Sequence, residues 1–401
     1  MVEQKICMLS PYIPPSYAGA GRRALSQAKY LATHGFRIVF ITVTKTNEQF
    51  PNLEMVTVHL PKFYEKKSVP GKICRLFYQP LLFIKMWKAV SDNNVNLLHC
   101  IPSLTWPTYF AAIAAKYKGA KIIVEPTLAG ANDPLAVRNS VLGKMKFLIF
   151  NIADAIVNIS PQMEYSCKEA GLADNKLYLI PNGIDIDKFS PPTEKEKHDL
   201  RNKFGLNHYR HVFIYVGIMR PRKGVSELIE AFKLAKMEVS NSCLILIGPA
   251  DKDDESKEYY KILQEQVEKD GLKNNVLFIG EVENIEEWMK SSDVFLFASR
   301  REGLPNVLIE AAGTGLPVVA MKIPKVTDYI FDQNSESGII VDDMDKFSKA
   351  IVKLVSDRDY YNKVSRNARE RALSCFSNKV VMEKYEKLYK KLLSEDGSKK
   401  D

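Results

Sequence analysis

The segment Ser299–Ala311 reads Ser-Arg-Arg-Glu-Gly-Leu-Pro-Asn-Val-Leu-Ile-Glu-Ala and carries the densest chemistry in the chain. It continues the apolar run VFLFAS (294–299). Gly303 permits a tight turn, and Pro305 suits the first turn of a helix. A helix starting there offers unpaired N–H groups and the positive end of its dipole, a ready site for phosphate. Asn306 and Glu310 stand four apart on one helical face, and Glu302 stands just before the turn. Two carboxylates flanking an anion-binding turn could grip the hydroxyls of a sugar and a ribose while the turn holds a pyrophosphate. The plainer alternative is an ordinary helix start with two solvated glutamates, and spacing alone does not choose between them.

The elements that must position this segment are legible as short apolar runs separated by longer helical stretches. In the first half, KICMLS (5–10), RIVFITV (37–43), VNLLHC (95–100), KIIVEP (121–126), AIVNIS (155–160) and LYLIP (177–181) read as strands. In the second half, HVFIYVG (211–217), CLILIG (243–248), VLFIG (276–280), VFLFAS (294–299), PVVAM (317–321) and GIIVDD (338–343) read likewise. Continuous rather than alternating apolar runs are the mark of parallel strands covered on both faces. RRALSQAKYLATHG (22–35) shows helical spacing at Leu25, Ala28, Leu31 and Ala32, with Gly35 as its stop. Strand–helix alternation run twice implies an α/β protein of two Rossmann-like, doubly wound parallel-sheet domains. Such sheets bind ligands beyond the carboxyl ends of their strands, so two domains facing across a cleft would suit a two-substrate reaction. The Pro-Pro pair, charge run and missing strand pattern of 181–205 suit a linker. The boundaries read as 1–188 for the first domain and 189–375 for the second, with a C-terminal helix at about 376–393 joining the first. The tail SEDGSKKD (394–401) reads as frayed.

Glu302 and Glu310 form an E-x7-E pair around GLPNVLI, followed by AAGTGLPVVA. This strongly resembles the C-terminal signature of the family 4 group of retaining glycosyltransferases with the GT-B fold. Further matches follow in the family's order along nearly the whole chain: a Gly-rich loop at Ala18-Gly19-Ala20-Gly21-Arg22, Pro181-Asn182-Gly183-Ile184-Asp185, Val216-Gly217 followed by Pro221-Arg222-Lys223-Gly224, and Leu246-Ile247-Gly248. The resemblance implies that Glu310 bonds the donor's ribose and Glu302 the hydroxyls of the donor sugar. It also implies that the backbone through Gly303, Leu304, Pro305 and Asn306 binds the pyrophosphate, and that Lys223 neutralises the phosphates as the nucleotide leaves. Gly19 and Gly21 would let the first loop approach the donor, with Gly217 at the donor-side strand end.

Three positions depart from the family pattern. Ile218 stands where an arginine commonly follows the glycine, so Arg220 or Arg222 must supply a second phosphate cation, and Arg220 is favoured. The loop Glu125-Pro126-Thr127-Leu128-Ala129-Gly130 lacks the histidine many relatives carry, which leaves Glu125 and Thr127 as candidate donor or acceptor contacts. Lys322-Ile323-Pro324-Lys325 replaces a Gly-Gly, with lysines that either contact phosphate or acceptor or are simply solvated. Asp251-Lys252-Asp253-Asp254 looks like a metal-binding DxD motif, but a solvated loop is the better reading, and the resemblance implies transfer without a metal or other cofactor.

Composition sets the frame. The 401 residues are 46% hydrophobic and 26% charged, which excludes disordered and fibrous classes. The six cysteines are scattered without CxxC pairs, so neither a zinc site nor a disulfide framework is expected, and a reducing compartment is. MVEQKICMLS lacks the pattern of a signal peptide, and no stretch nears the ~18 apolar residues of a spanning helix. A cytoplasmic protein, peripheral on the cytosolic face of a membrane or free of it, is the expectation. Residues 1–188 carry 22 Lys and Arg against 13 Asp and Glu, while residues 189–401 carry 35 of each, so the whole net charge of +9 lies in the first half. Residues 62–88 interleave seven Lys and Arg with six aromatics against one Glu65. That mixture suits an anionic membrane interface or, equally, a core helix at about 76–90 after a basic loop. No nucleic-acid-binding signature accompanies it.

These readings converge on an enzyme that moves a sugar from a nucleotide-sugar, a UDP-sugar being expected, to a hydroxyl of a glycan or lipid-linked acceptor, with retention. The alternatives are a synthase or phosphorylase acting on a free small sugar, and a membrane-associated protein that keeps the fold without turnover.

Overall fold

The computed structural model describes residues 5–14, 19–46, 49–61, 64, 69–102, 105–130, 132–140, 142–250, 253–332, 334 and 336–394. The chain forms two compact units, Met1–Asn182 with Val381–Asp401, and Gly183–Val380. The first break thus falls six residues before the sequence boundary at 188.

The strands of the first unit are β1 (Lys5–Leu9), β2 (Arg37–Thr42), β3 (Leu53–Thr57), β4 (Leu97–Cys100), β5 (Lys121–Val124), β6 (Ala155–Asn158) and β7 (Leu177–Leu179). All pair in parallel in the order β3-β2-β1-β4-β5-β6-β7. Its helices are α1 (Gly19–Thr33), α2 (Val69–Ser91), α3 (Trp106–Tyr117), α4 (Pro134–Arg138), α5 (Gly143–Ile152) and α6 (Pro161–Glu169). The apolar core on one sheet face joins Cys7, Val39, Leu98 and Ile122 to Leu82 and Met86 of α2, Ala111 of α3 and Phe150 of α5. The other face packs Ile6, Phe40 and Leu97 on Leu25 and Ala28 of α1. Gly19 and Gly21, read from the sequence as a loop, are instead the first turn of α1. A Cβ on Gly21 would collide with the Tyr12 carbonyl, so the helix start lies tight on the chain after β1. Ala18, before it, falls outside the described residues.

The second unit repeats the plan. Its strands are β8 (His211–Val216), β9 (Ser242–Ile247), β10 (Val276–Gly280), β11 (Val294–Phe297), β12 (Val318–Met321) and β13 (Ile339–Val341), in the order β10-β9-β8-β11-β12-β13 and all parallel. Helices α7 (Glu194–Lys203), α8 (Val225–Lys236), α9 (Asp254–Lys269), α10 (Ile285–Ser291), α11 (Asn306–Gly313), α12 (Thr327–Ile330), α13 (Met344–Ser356) and α14 (Arg358–Arg371) connect and follow them. The supposed linker therefore contains a helix, α7, whose first turn Thr193 caps by accepting from the Glu196 N–H at 3.1 Å. The final helix α15 (Asn378–Ser394) enters the first unit at Val381 and buries Tyr385, Leu388, Tyr389 and Leu392 beside α1. Each such buried side chain contributes roughly 1.5–3 kcal/mol, which holds the C-terminal segment in place.

In both sheets the strand order reverses direction once, between β1 and β4 and between β8 and β11. In doubly wound sheets, ligands bind outside the carboxyl ends of the strands at such a reversal. Beyond the sheets, the segments that mattered in the sequence follow β8 and β11.

Candidate active site

Gly217 follows β8 directly and donates its N–H to the Ile247 carbonyl at 2.9 Å. The chain then runs through Ile218 and Met219 into a single 3-10 turn, Pro221–Lys223. Gly224 ends that turn in the left-handed region at φ 68°, where a Cβ would strike the Ala298 carbonyl. Only glycine takes that backbone freely in so confined a place, so Gly224 fixes where Lys223 points and starts α8.

The second loop follows β11. Arg300 donates its N–H to the Arg222 carbonyl at 2.9 Å, and Arg222 Nη1 returns a bond to the Arg301 carbonyl at 3.0 Å. The two loops are thereby stapled side by side across the reversal of strand order. At their junction lies Glu302, whose Oε1 accepts from Lys223 Nζ at 2.5 Å, Ser299 Oγ at 2.6 Å and Arg222 Nη1 at 3.2 Å. The Glu302 side chain is 10% exposed and that of Lys223 14%, so both sit at the lip of the surface. Burial pushes the Lys223 ammonium below its ordinary value, against the pull of Glu302. Two cations on one carboxylate leave one positive charge in surplus, which favours an incoming anion.

Gly303, Leu304 and Pro305 carry the chain from Glu302 into α11, with Leu304 buried. Pro305 stands at the N-cap and gives no side-chain cap. Asn306 opens the helix, and Glu310 lies one turn further along it. The structure therefore brings together Lys223, Glu302 and the start of α11.

Arg220, favoured in the sequence as the second cation, is committed elsewhere. Its guanidinium grips Asp253 and lies 3.9 Å from Glu255. Asp253 is held there as the N-cap of α9, in a reciprocal capping box with Ser256. Arg222, the alternative, is the arginine at Glu302. Asp253 of the DxD look-alike is thus a capping residue, while Asp251 and Lys252 lie outside the described residues.

In the first unit Glu125 is corrected from a candidate ligand contact to a fully buried anchor. Its Oε1 pairs with Arg23 of α1. Its Oε2 accepts from the Tyr385 hydroxyl at 2.8 Å and lies 3.4 Å from His99 Nε2. Tyr389 Oη meets His99 Nδ1 at 2.9 Å and accepts from Gln27 Nε2 at 3.2 Å. Burial by itself would raise the Glu125 carboxyl, but Arg23 and His99 overcome it and hold the group at about 2. Burial also pushes His99 below its ordinary value, against Glu125. The network ties α1, β4, β5 and α15 together. Thr127 is half-buried, and its N–H and hydroxyl are both tied to the Asn132 side chain at 3.0 Å.

Arg23, His99, Tyr385 and Tyr389 escaped the sequence reading. The signals present are a histidine inside an apolar strand and tyrosines four apart on the last helix. Ser299 also escaped notice as a ligand of Glu302, although it stands three residues before it.

Residues 17–188 match the family model Glycosyltransferase Family 4, and residues 196–371 match Glycosyl transferases group 1. The chain belongs to the family 4 glycosyltransferases. Among its relatives, the transferase is 26% identical over 395 residues to the UDP-Gal:alpha-D-GlcNAc-diphosphoundecaprenol alpha-1,3-galactosyltransferase of Escherichia coli, covering 96% of this chain and 97% of that one. It is 24% identical over 392 residues to the N-acetyl-alpha-D-glucosaminyl L-malate synthase of Bacillus anthracis, covering 96% and 97%. Among solved structures, Anabaena Alr3699/HepE in complex with UDP and glucose shares the GT-B fold at a TM-score of 0.76 and 19% identity, over 96% of this chain and 99% of that one. The transferase is thus a sugar-transferring enzyme on two Rossmann-like units, with its signature residues on the loops after β8 and β11.

Proposed function

We propose that the enzyme transfers a sugar from a UDP-sugar to a hydroxyl of a glycan or lipid-linked acceptor, with retention and without a metal ion. The convergence of Lys223, Arg222 and Ser299 on Glu302, beside the start of α11, carries this reading. The diphosphate of the donor takes the surplus positive charge and the N–H groups opening α11. Glu302, already fixed by three donors, orients the hydroxyls of the sugar, and Glu310 bonds the ribose. In the transfer, the bond from the anomeric carbon to the phosphate oxygen breaks and the bond to the acceptor oxygen forms on the same face. The acceptor's proton passes to the leaving phosphate oxygen, whose developing charge Lys223 stabilises. In this reading the enzyme works in the cytoplasm, on the cytosolic face of a membrane where a lipid-linked acceptor is held.

The relationship to the galactosyltransferase named for a diphosphoundecaprenol acceptor supports a lipid-linked acceptor. The relationship to the L-malate synthase supports a second reading, transfer to a small soluble hydroxyl compound. A panel of nucleotide sugars scored by thermal stabilisation identifies the donor, because a ligand that binds only the native state raises apparent stability. Radiolabelled transfer, partitioned between lipid and aqueous phases, then separates the two acceptors. Near-wild-type transfer by both Lys223→Ala and Glu302→Ala would remove the assignment of the site.

A further inference from the structure

Helix α2 is apolar on two sides. Leu82, Met86 and Val90 are buried against the sheet, while Ile73, Leu76, Phe77, Leu81 and Ile84 point outward along a stripe of helical spacing. Phe77 is 78% exposed and Leu76 72%. The outward side continues over the neighbouring helices. A line of rings, Tyr117–Trp87–Phe83–Phe110–Trp106, joins α3 to α2 with centroids 5.1–5.7 Å apart, and both its end members are exposed. Tyr109 of α3 donates to the Lys146 carbonyl of α5 at 2.7 Å, and α5 in turn exposes Met145 and Leu148. Contiguous outward apolar surface of this kind marks a binding surface.

Charge identifies the partner. The sequence of helices α2, α3 and α5 contains seven Lys and Arg and no Asp or Glu; among those whose side chains are described, Lys88 and Lys144 are exposed, while Lys116 lies 3.4 Å from Asp154. Two copies of such a face would set like charges against each other, whereas an anionic lipid surface complements it. Among the described residues no helix is long and apolar enough to cross a membrane. We infer that the outer face of α2, α3 and α5 docks onto an anionic lipid bilayer, with Leu76 and Phe77 entering the acyl boundary and Trp106 and Tyr117 lying at headgroup level. The basic run Lys62, Lys66 and Lys67 lies outside the described residues, and Lys85, bonded to Tyr78 Oη at 2.8 Å and the His59 carbonyl at 3.3 Å, is drawn back toward its own domain.

The surface belongs to the first unit alone and deepens the membrane reading above without presupposing a donor or an acceptor. The full chain is co-sedimented with vesicles of equal parts phosphatidylglycerol and phosphatidylcholine, and with phosphatidylcholine alone, at low and high salt. The expected result is binding to the anionic vesicles only, weakened by salt, and reduced about tenfold or more in Leu76→Glu/Phe77→Glu. Phe77→Ser, a milder change at an exposed position, is expected to weaken binding in the same direction with unchanged melting. No sedimentation of the wild type with anionic vesicles, equal sedimentation with both kinds, or undiminished binding by the double variant would each overturn the inference. So would a concentration-dependent dimer that the double variant abolishes, which would assign the face to a second copy. Stabilisation by a UDP-sugar is expected to be equal in wild type and variant. Its absence from both would count against the proposed donor and leave the docking surface standing.

Discussion

Glu125 and Glu302 both lie beyond the carboxyl end of a parallel strand, and cations hold both. Around Glu125 every oxygen is engaged: Arg23 on one, Tyr385 and His99 on the other, with Tyr389 and Gln27 closing the network behind. Around Glu302 three donors crowd onto Oε1, the site keeps a surplus positive charge, and Glu302 and Lys223 retain a narrow edge to solvent. The first arrangement balances its charge internally, although Gln27 Oε1 and His99 Nε2 are left without a hydrogen-bond partner among the described residues. The second keeps a positive charge in surplus, which the diphosphate of the proposed donor would balance. In the function proposed above, the same chemistry is architectural in one unit and serves the donor in the other, and the difference lies in which charges remain unbalanced.

Substitutions can break that contrast. Glu125→Ala strands Arg23 in the interior, and loss of one partner of a buried pair costs about 3–5 kcal/mol, measurable by urea unfolding. A Glu125 variant that kept its stability but lost transfer would erase the distinction. Lys223→Ala is expected to lower kcat by about 10²–10³-fold in a transfer assay while the urea midpoint stays close to wild type. Arg222→Gln is expected to weaken nucleotide-sugar binding about tenfold by calorimetry, and Arg220→Gln less, since Arg220 faces Asp253 rather than Glu302.

The closed network also carries a pH signature. His99 and Glu125 both sit below their ordinary values of 6.5 and 4.5, so the unfolded chain binds each proton first. Their contributions are present above those values and are lost as pH falls, from about 6.5 for His99, and from 4.5 toward about 2 for Glu125. Urea midpoints across that range are expected to fall in wild type and to lose the lower step in Glu125→Gln. The smallest effect is expected for Tyr389→Phe, about 1 kcal/mol, from the bonds it withdraws from His99 and Gln27.

Much of the fold was legible because parallel strands covered on both faces are written as unbroken apolar runs. Twelve of the thirteen strands announce themselves that way. β3 does not: in LEMVT the exposed Glu54 interrupts the apolar positions and only Leu53 is buried. The basic aromatic stretch was ambiguous between core helix and exposed interface because α2 is both, one face buried and the other open. The site was partly legible. The E-x7-E pair and Lys223 lie in short segments whose residue types and order carry their own signal.

Sequence by itself determined the two strand–helix alternations, since these rest on neighbouring residues and the periods they impose, and the family resemblance of its motifs pointed to the class of enzyme and the loops that bear its signature. Tertiary structure alone decided which arginine serves Glu302 and what Glu125 is for. Arg222 and Glu302 are eighty residues apart, and Glu125 meets Tyr385 across 260. Such partners are chosen by how sheets and helices close around them, and the burial that results settles whether a charge is balanced internally or left for a ligand.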